Sequence, residues 1–194
     1  MNLVDTHIHL YEYDNVDLLI SEARNNDVIA IFCVSEDLET SIESLELSRR
    51  YRGFVYPLIG IHPWTATYHD VKLEEFAWFL RENKDKIIGI GEVGLDWKYV
   101  EETSRDRWKV QLRVFKFMLE LAEELRLPVQ VHSRRAVKEA LDIISTYNIP
   151  GVQFHWFSGD AKMLKEVIGR GYYVSFTPSV TYSKKVMELS LIHI

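Results

Sequence analysis

The 194-residue chain predicts an α/β fold, a TIM-type (β/α)8 barrel that lacks its eighth strand and last helix. Three observations carry this expectation. Short β-branched runs alternate with amphipathic helical stretches from end to end, and the connections between them are short, which favours right-handed parallel units. No glycine-rich phosphate loop follows the first strand, as a dinucleotide-binding sheet would have. Seven strand–helix units fit into the chain, whereas a complete barrel takes about 250 residues. An open doubly wound sheet is the alternative.

Taken in order, Leu3–Thr6 is the first strand and Val16–Asn25 a helix with Val16, Leu19, Ile20 and Ala23 apolar. Val28–Val34 is continuously apolar, as in a strand buried on both faces of a parallel sheet. A helix over Leu38–Arg50 follows, with Ile42, Leu45 and Leu47 apolar, and Phe54–Gly60 is the third strand. Leu73–Asn83 is helical through Phe76, Phe79 and Leu80, and Ile87–Gly91 is strand four. The longest helix, Ser104–Leu125, places Trp108, Leu112, Phe115, Leu119 and Ala122 at helical spacing, with Ser104 as its N-cap. Then come strand Val129–His132, helix Ala136–Tyr147, strand Gly151–His155, helix Ala161–Arg170, strand Tyr172–Phe176 and a helix from Tyr182 to Leu189. Residues 1–189 read as one incomplete barrel and residues 190–194 as a non-native tail, because Leu189–Ile194 does not continue the amphipathic pattern.

Composition narrows the function class. A net charge of −6 gives no global basic field for nucleic acid. Bound divalent ions would nevertheless supply strong local positive charge that the sum omits. The single cysteine, Cys33, lies in an apolar run and reads as a small buried residue. The N-terminus lacks the basic and apolar regions of a signal peptide, and no apolar run approaches the ~18 residues of a membrane span. The chain is expected to be cytoplasmic, with no membrane partner and no obligate protein partner.

The polar residues then fall into a pattern. His7 and His9 follow strand one, and alternate residues of an extended segment share a face. His62 follows strand three, Glu92 strand four, His132 strand five and His155 strand six. All sit at the C-terminal ends of expected strands, the face on which barrels carry their sites. Each alone has a bland reading, since strand-end histidines often bond a carbonyl and Glu92 could cap the next helix. Together, four histidines and a carboxylate suit two divalent ions, with Glu92 able to bridge them. Two metals ~3.5–4 Å apart favour phosphate-ester hydrolysis. Arg134 could hold a phosphate oxygen, and His62 could contact substrate from its Pro63-constrained loop. His69 reads as an exposed residue, and Trp64, Trp97 and Trp156 are candidates for stacking on a base or for ordinary packing.

Asp5-Thr6-His7-Ile8-His9, Gly60-Ile61-His62-Pro63, Gly91-Glu92-Val93-Gly94-Leu95-Asp96, Val131-His132-Ser133-Arg134 and Phe154-His155-Trp156-Phe157-Ser158-Gly159 resemble, in order, the successive motifs of the TatD family of metal-dependent hydrolases. The resemblance runs from Val4 to about Leu189. It implies a TIM-like barrel, two divalent ions (Mg, Mn or Zn) and phosphodiester hydrolysis, typically exonucleolytic on DNA from the 3′ end. It also implies that His7 and His9 bind the first metal, that Glu92 bridges, that His132 and His155 bind the second, and that His62 and Arg134 lie near substrate phosphate. Trp156 stands where family members often carry cysteine. The family pattern continues to an eighth strand ending in Glu-Thr-Asp, whose Asp joins the first metal, and these 194 residues hold no counterpart. The chain is therefore expected to be truncated and weakly active or inactive. The alternatives are an amidohydrolase-type enzyme acting on a small molecule, which commonly bridges its metals with a modified lysine where Glu92 stands, and a non-catalytic metal-binding remnant.

Overall fold

A computed structural model describes residues 2–68, 70–98 and 105–193. Its centre is one sheet of seven parallel strands paired in chain order: β1 (Leu3–Ile8), β2 (Val28–Val34), β3 (Val55–Ile59), β4 (Gly89–Asp96), β5 (Val129–Arg134), β6 (Val152–Phe154) and β7 (Tyr173–Val174). Sequential parallel pairing without reversal is barrel order, so the doubly wound alternative falls. Among the described residues β1 and β7 are the two edges, and the barrel is not closed. The sheet nevertheless curls. The Gln130 amide on β5 donates to the Thr6 carbonyl on β1 at 2.6 Å and to Gln153 on β6 at 2.8 Å, and Gln153 donates to the Thr6 hydroxyl at 3.2 Å. These bonds cross the barrel interior, so β1 faces β5 and β6.

The helices are α1 (Val16–Asn25), α2 (Leu38–Arg50), α3 (Pro63–Tyr68), α4 (Leu73–Asn83), α5 (Arg105–Leu125), α6 (Val137–Ile144), α7 (Ala161–Gly169) and α8 (Lys184–His193). None is long and apolar enough to cross a membrane. Side chains cap several of them: Asn15 accepts from Leu18 N–H, Asp37 forms a capping box with Thr40, Asp160 accepts from Met163 N–H, and Ser183 accepts from Val186 N–H. The main core packs α4–α7 against β3–β6, with Phe76, Phe115, Leu119, Phe154 and Leu164 buried. A smaller cluster under β1 and β2 buries Leu10, Ile20, Ile31, Cys33 and Phe54.

Several expectations shift. β1 extends to Ile8 and β4 to Asp96, so His7 and Glu92 lie within strands. α3 was not anticipated. In α2 the buried face is Ser41, Ser44 and Leu45, while Ile42 faces solvent, because Ser41 packs on Ser35 through a 2.9 Å hydroxyl contact. α8 runs to His193, carrying Leu191 and Ile192 into solvent. Ser104 and His69 lie outside the described residues.

Candidate active site

The C-terminal rim of the sheet brings together every histidine of the expected set around one carboxylate. β1 delivers His7 and the turn after it His9, whose rings meet edge-on at 5.0 Å. β4 delivers Glu92, β5 His132, and the segments after β3 and β6 deliver His62 and His155. Glu92 is 2% exposed. Its Oε2 faces His7 Nε2 and His9 Nε2, each at 3.5 Å. Its Oε1 faces His132 Nδ1 and His155 Nε2, each at 2.5 Å, and His62 Nε2 at 3.6 Å.

Neighbours fix which nitrogen of each ring is a donor. His7 Nδ1–H donates to the Gln130 carbonyl oxygen at 2.5 Å, and His9 Nδ1–H to the Val34 backbone carbonyl at 2.9 Å. Each ring thus turns its Nε2 lone pair toward Glu92, the arrangement in which metal-ligating histidines are held by their outer partners. His62 is the opposite tautomer: its Nδ1 accepts the Trp64 backbone N–H at 3.1 Å, which leaves Nε2 carrying the proton. His132 is gripped at both nitrogens, by Glu92 at Nδ1 and by fully buried Asp96 at Nε2, 2.7 Å away.

The electrostatics follow from burial and charge. Burial, together with the neighbouring His155, lowers His7 to about 4. Burial likewise lowers His62 to about 4, against the pull of Glu92. Both are neutral at pH 7 with a lone pair available. Burial alone would raise Glu92, but His155, His132 and His62 hold it well below the usual carboxylate range. Burial would depress His132, yet Glu92 and Asp96 outweigh it and raise it to about 9. A buried carboxylate ringed by nitrogen donors suits an imidazole- and carboxylate-loving divalent ion. Two groups close enough for one ion share this residue, His7–Glu92–His155 and His62–Glu92–His132.

One consequence is measurable. His132 carries a proton that a metal must displace from Nδ1, so uptake at pH 7.5 is expected to release about one proton. Apparent affinity should then rise about tenfold per pH unit toward 9 and level off above it. Titration calorimetry in two buffers of different ionisation enthalpy reads the proton count. Identical heats in both would contradict it.

Asp96, Gln130 and Glu36 were not singled out from sequence. Asp96 lies four residues after Glu92 on β4 and Gln130 two before His132 on β5, so even spacing from a residue of the cluster was the available signal. Glu36 sits 3.6 Å from His62 Nδ1, and burial raises its pKa. Arg134 is exposed and lines a cavity of about 180 Å³ with His132, Ser133, His155, Trp156 and Ser158. Of the tryptophans, Trp97 stacks on Trp108 at 3.9 Å and Trp64 leans on Tyr68 at 4.2 Å, whereas Trp156 projects into solvent.

A histidine–carboxylate cluster at the C-terminal strand ends of a curled parallel sheet defines a metal-dependent hydrolase of the barrel class. The chain belongs to the TatD family, since the model described as "TatD related DNase" matches residues 4–191. It is similar to human deoxyribonuclease TATDN3, 32% identical over 199 residues that cover 97% of this chain and 73% of that protein. It is also similar to the 3′-5′ ssDNA/RNA exonuclease TatD of Salmonella typhimurium, 26% identical over 175 residues, with 89% of this chain and 65% of that one covered. The crystal structure of YjjV, the TatD homologue of Escherichia coli, superposes with a TM-score of 0.77 at 25% identity, covering 89% of this chain and 66% of that one.

Proposed function

We propose that these residues form most of a two-metal phosphodiesterase that trims single-stranded DNA from the 3′ end. The observation that carries this reading is the division of labour at Glu92. One oxygen faces the Nε2 atoms of His7 and His9, and the other faces His132 and His155. A carboxylate so placed can serve two ions, with His7 and His9 on one and His132 and His155 on the other, a division by carboxylate oxygen that cuts across the two tightest groups, in which His155 lies with His7 and His62 with His132. Once bound, a pair of divalent ions (Mg, Mn or Zn) would polarise a phosphoryl oxygen and an attacking water. The chain's own residues do the rest. Gln130, the Val34 carbonyl and Asp96 hold three imidazoles in orientation. His62, protonated at Nε2, donates to a phosphoryl oxygen rather than ligating. Arg134, at the open side of the cavity, pairs with the same phosphate.

We infer that activity is low in these 194 residues, because the carboxylate that faces both His7 and His9 directly is Glu92, with Glu36 acting on His9 from farther off. The test is hydrolysis of a 5′-labelled single-stranded oligonucleotide with Mg, Mn or Zn against a chelator. Slow, metal-dependent, stepwise shortening is the expected result. Turnover of a small amide or ester by a metal-loaded chain that leaves oligonucleotides intact would replace this reading with an amidohydrolase. Metal uptake without any turnover would leave a binding remnant.

A further inference from the structure

Trp156 is the residue whose placement the hydrolytic machinery does not explain. It is 59% exposed, and no other aromatic ring stacks on it among the described residues. Its backbone φ is +42°, a region that a bulky residue enters at a cost. The surroundings hold it there. The Trp156 N–H donates to the Ser175 hydroxyl at 3.3 Å, and the next N–H, of buried Phe157, donates to the Ser175 carbonyl at 2.9 Å. The turn thus buries His155 toward Glu92 and Phe157 toward the core, and puts the indole between them on the outside. That indole forms one wall of the cavity that also carries Arg134, His132 and His155.

We propose that Trp156 is a nucleobase platform, on which the base of the nucleoside next to the scissile phosphate stacks. This deepens the phosphodiesterase reading and rests on it. An exposed aromatic face beside a cationic guanidinium is the combination that binds single-stranded nucleic acid without sequence preference. Trp156 directly follows His155, so its platform lies beside the reacting phosphate, and the base assigned to it is that of the terminal nucleoside. A base on this platform has left its own stack, so a frayed or single-stranded end is preferred to a blunt duplex end. Any of the four bases is accepted, since each offers a π face.

The experiment measures affinity, so it does not depend on turnover. Binding of 5′-labelled single-stranded decamers ending in a thymidine or in an abasic sugar is followed by anisotropy, in chelator and again in Mn with a phosphorothioate at the last linkage. The wild-type chain and Trp156→Phe are expected to favour the base-bearing end by about tenfold. Trp156→Ala should lose that preference, and so should Trp156→Gly, which suits the positive φ and controls for backbone strain. Decamers that bind with equal affinity whether or not the last base is present, or a preference that survives in both the alanine and the glycine variants, would overturn the platform alone. Failure of the chain to bind any decamer would overturn the phosphodiesterase reading and the platform with it.

Discussion

Glu92→Gln is expected to keep the fold and abolish the function. In the metal-free site the glutamine oxygen can still accept from His132 and His155, where Oε1 does so now at 2.5 Å. Its NH2 takes the place of Oε2 and can donate to the Nε2 lone pairs of His7 and His9, 3.5 Å away. Every ring keeps a partner, but the His132 imidazolium loses its main counter-charge, so the melting temperature should fall, by less than truncation of the side chain would cause. A neutral amide cannot bridge two cations, and metal content and turnover should fall together, turnover by about 10³-fold or more. Glu92→Ala separates the two roles. It removes the counter-charge of the His132 imidazolium and also the hydrogen-bond partner that glutamine would keep, and removing one partner of a buried pair costs about 3–5 kcal/mol. Thermal melts, elemental metal analysis and the oligonucleotide assay, run on both variants, read the three quantities independently. A glutamine variant that holds its metal and turns over at the parental rate would remove Glu92 from the mechanism.

The clustering of the histidines around Glu92 was legible because strand and barrel geometry are periodic. His7 and His9 differ by two residues, and His62, Glu92, His132 and His155 each end a β-branched run. Periodicity places such residues on one rim before any contact is known. What supports them was less legible for the same reason that it works. Gln130, Gln153 and Asp96 sit on the same face at even spacing from His132, His155 and Glu92, but nothing local reveals that the curl brings Thr6 across to Gln130 and Gln153. That is tertiary information. The six residues of α3 are too few to show a helical period, although Pro63 at its first position was a start signal. The Gly91–Asp96 segment resembles a turn in composition. Pairing of Gly94 with His132 and Asp96 with Arg134 keeps it extended, so the sheet overrides the local preference.

Gly94→Ala is expected to be the most destabilising single substitution among the glycines of the site. Two effects coincide at this position. Its φ is +145°, which an L side chain rarely adopts, and an added Cβ would lie 2.0 Å from the His132 carbonyl oxygen. That oxygen is backbone on β5, so relief requires β4 and β5 to separate where they carry Glu92 and His132. The expected loss is about 4 kcal/mol or more, the range reserved for a named structural fault. Gly171 provides the contrast: its φ is +78°, but a Cβ there meets nothing within 4 Å. Gly171→Ala should cost only the conformational penalty, about 1–2 kcal/mol. Gly60→Ala isolates the other term, because its Cβ would sit 2.6 Å from the Gly91 carbonyl carbon with no positive φ to add. Urea unfolding of the three variants should rank Gly94 worst and Gly171 mildest. Equal losses at Gly94 and Gly171 would show that backbone handedness, not the approach of β4 to β5, is what these glycines serve. The predicted ranking would instead make the glycines on either side of Glu92 the means by which neighbouring strands come close enough for one carboxylate to reach five imidazoles.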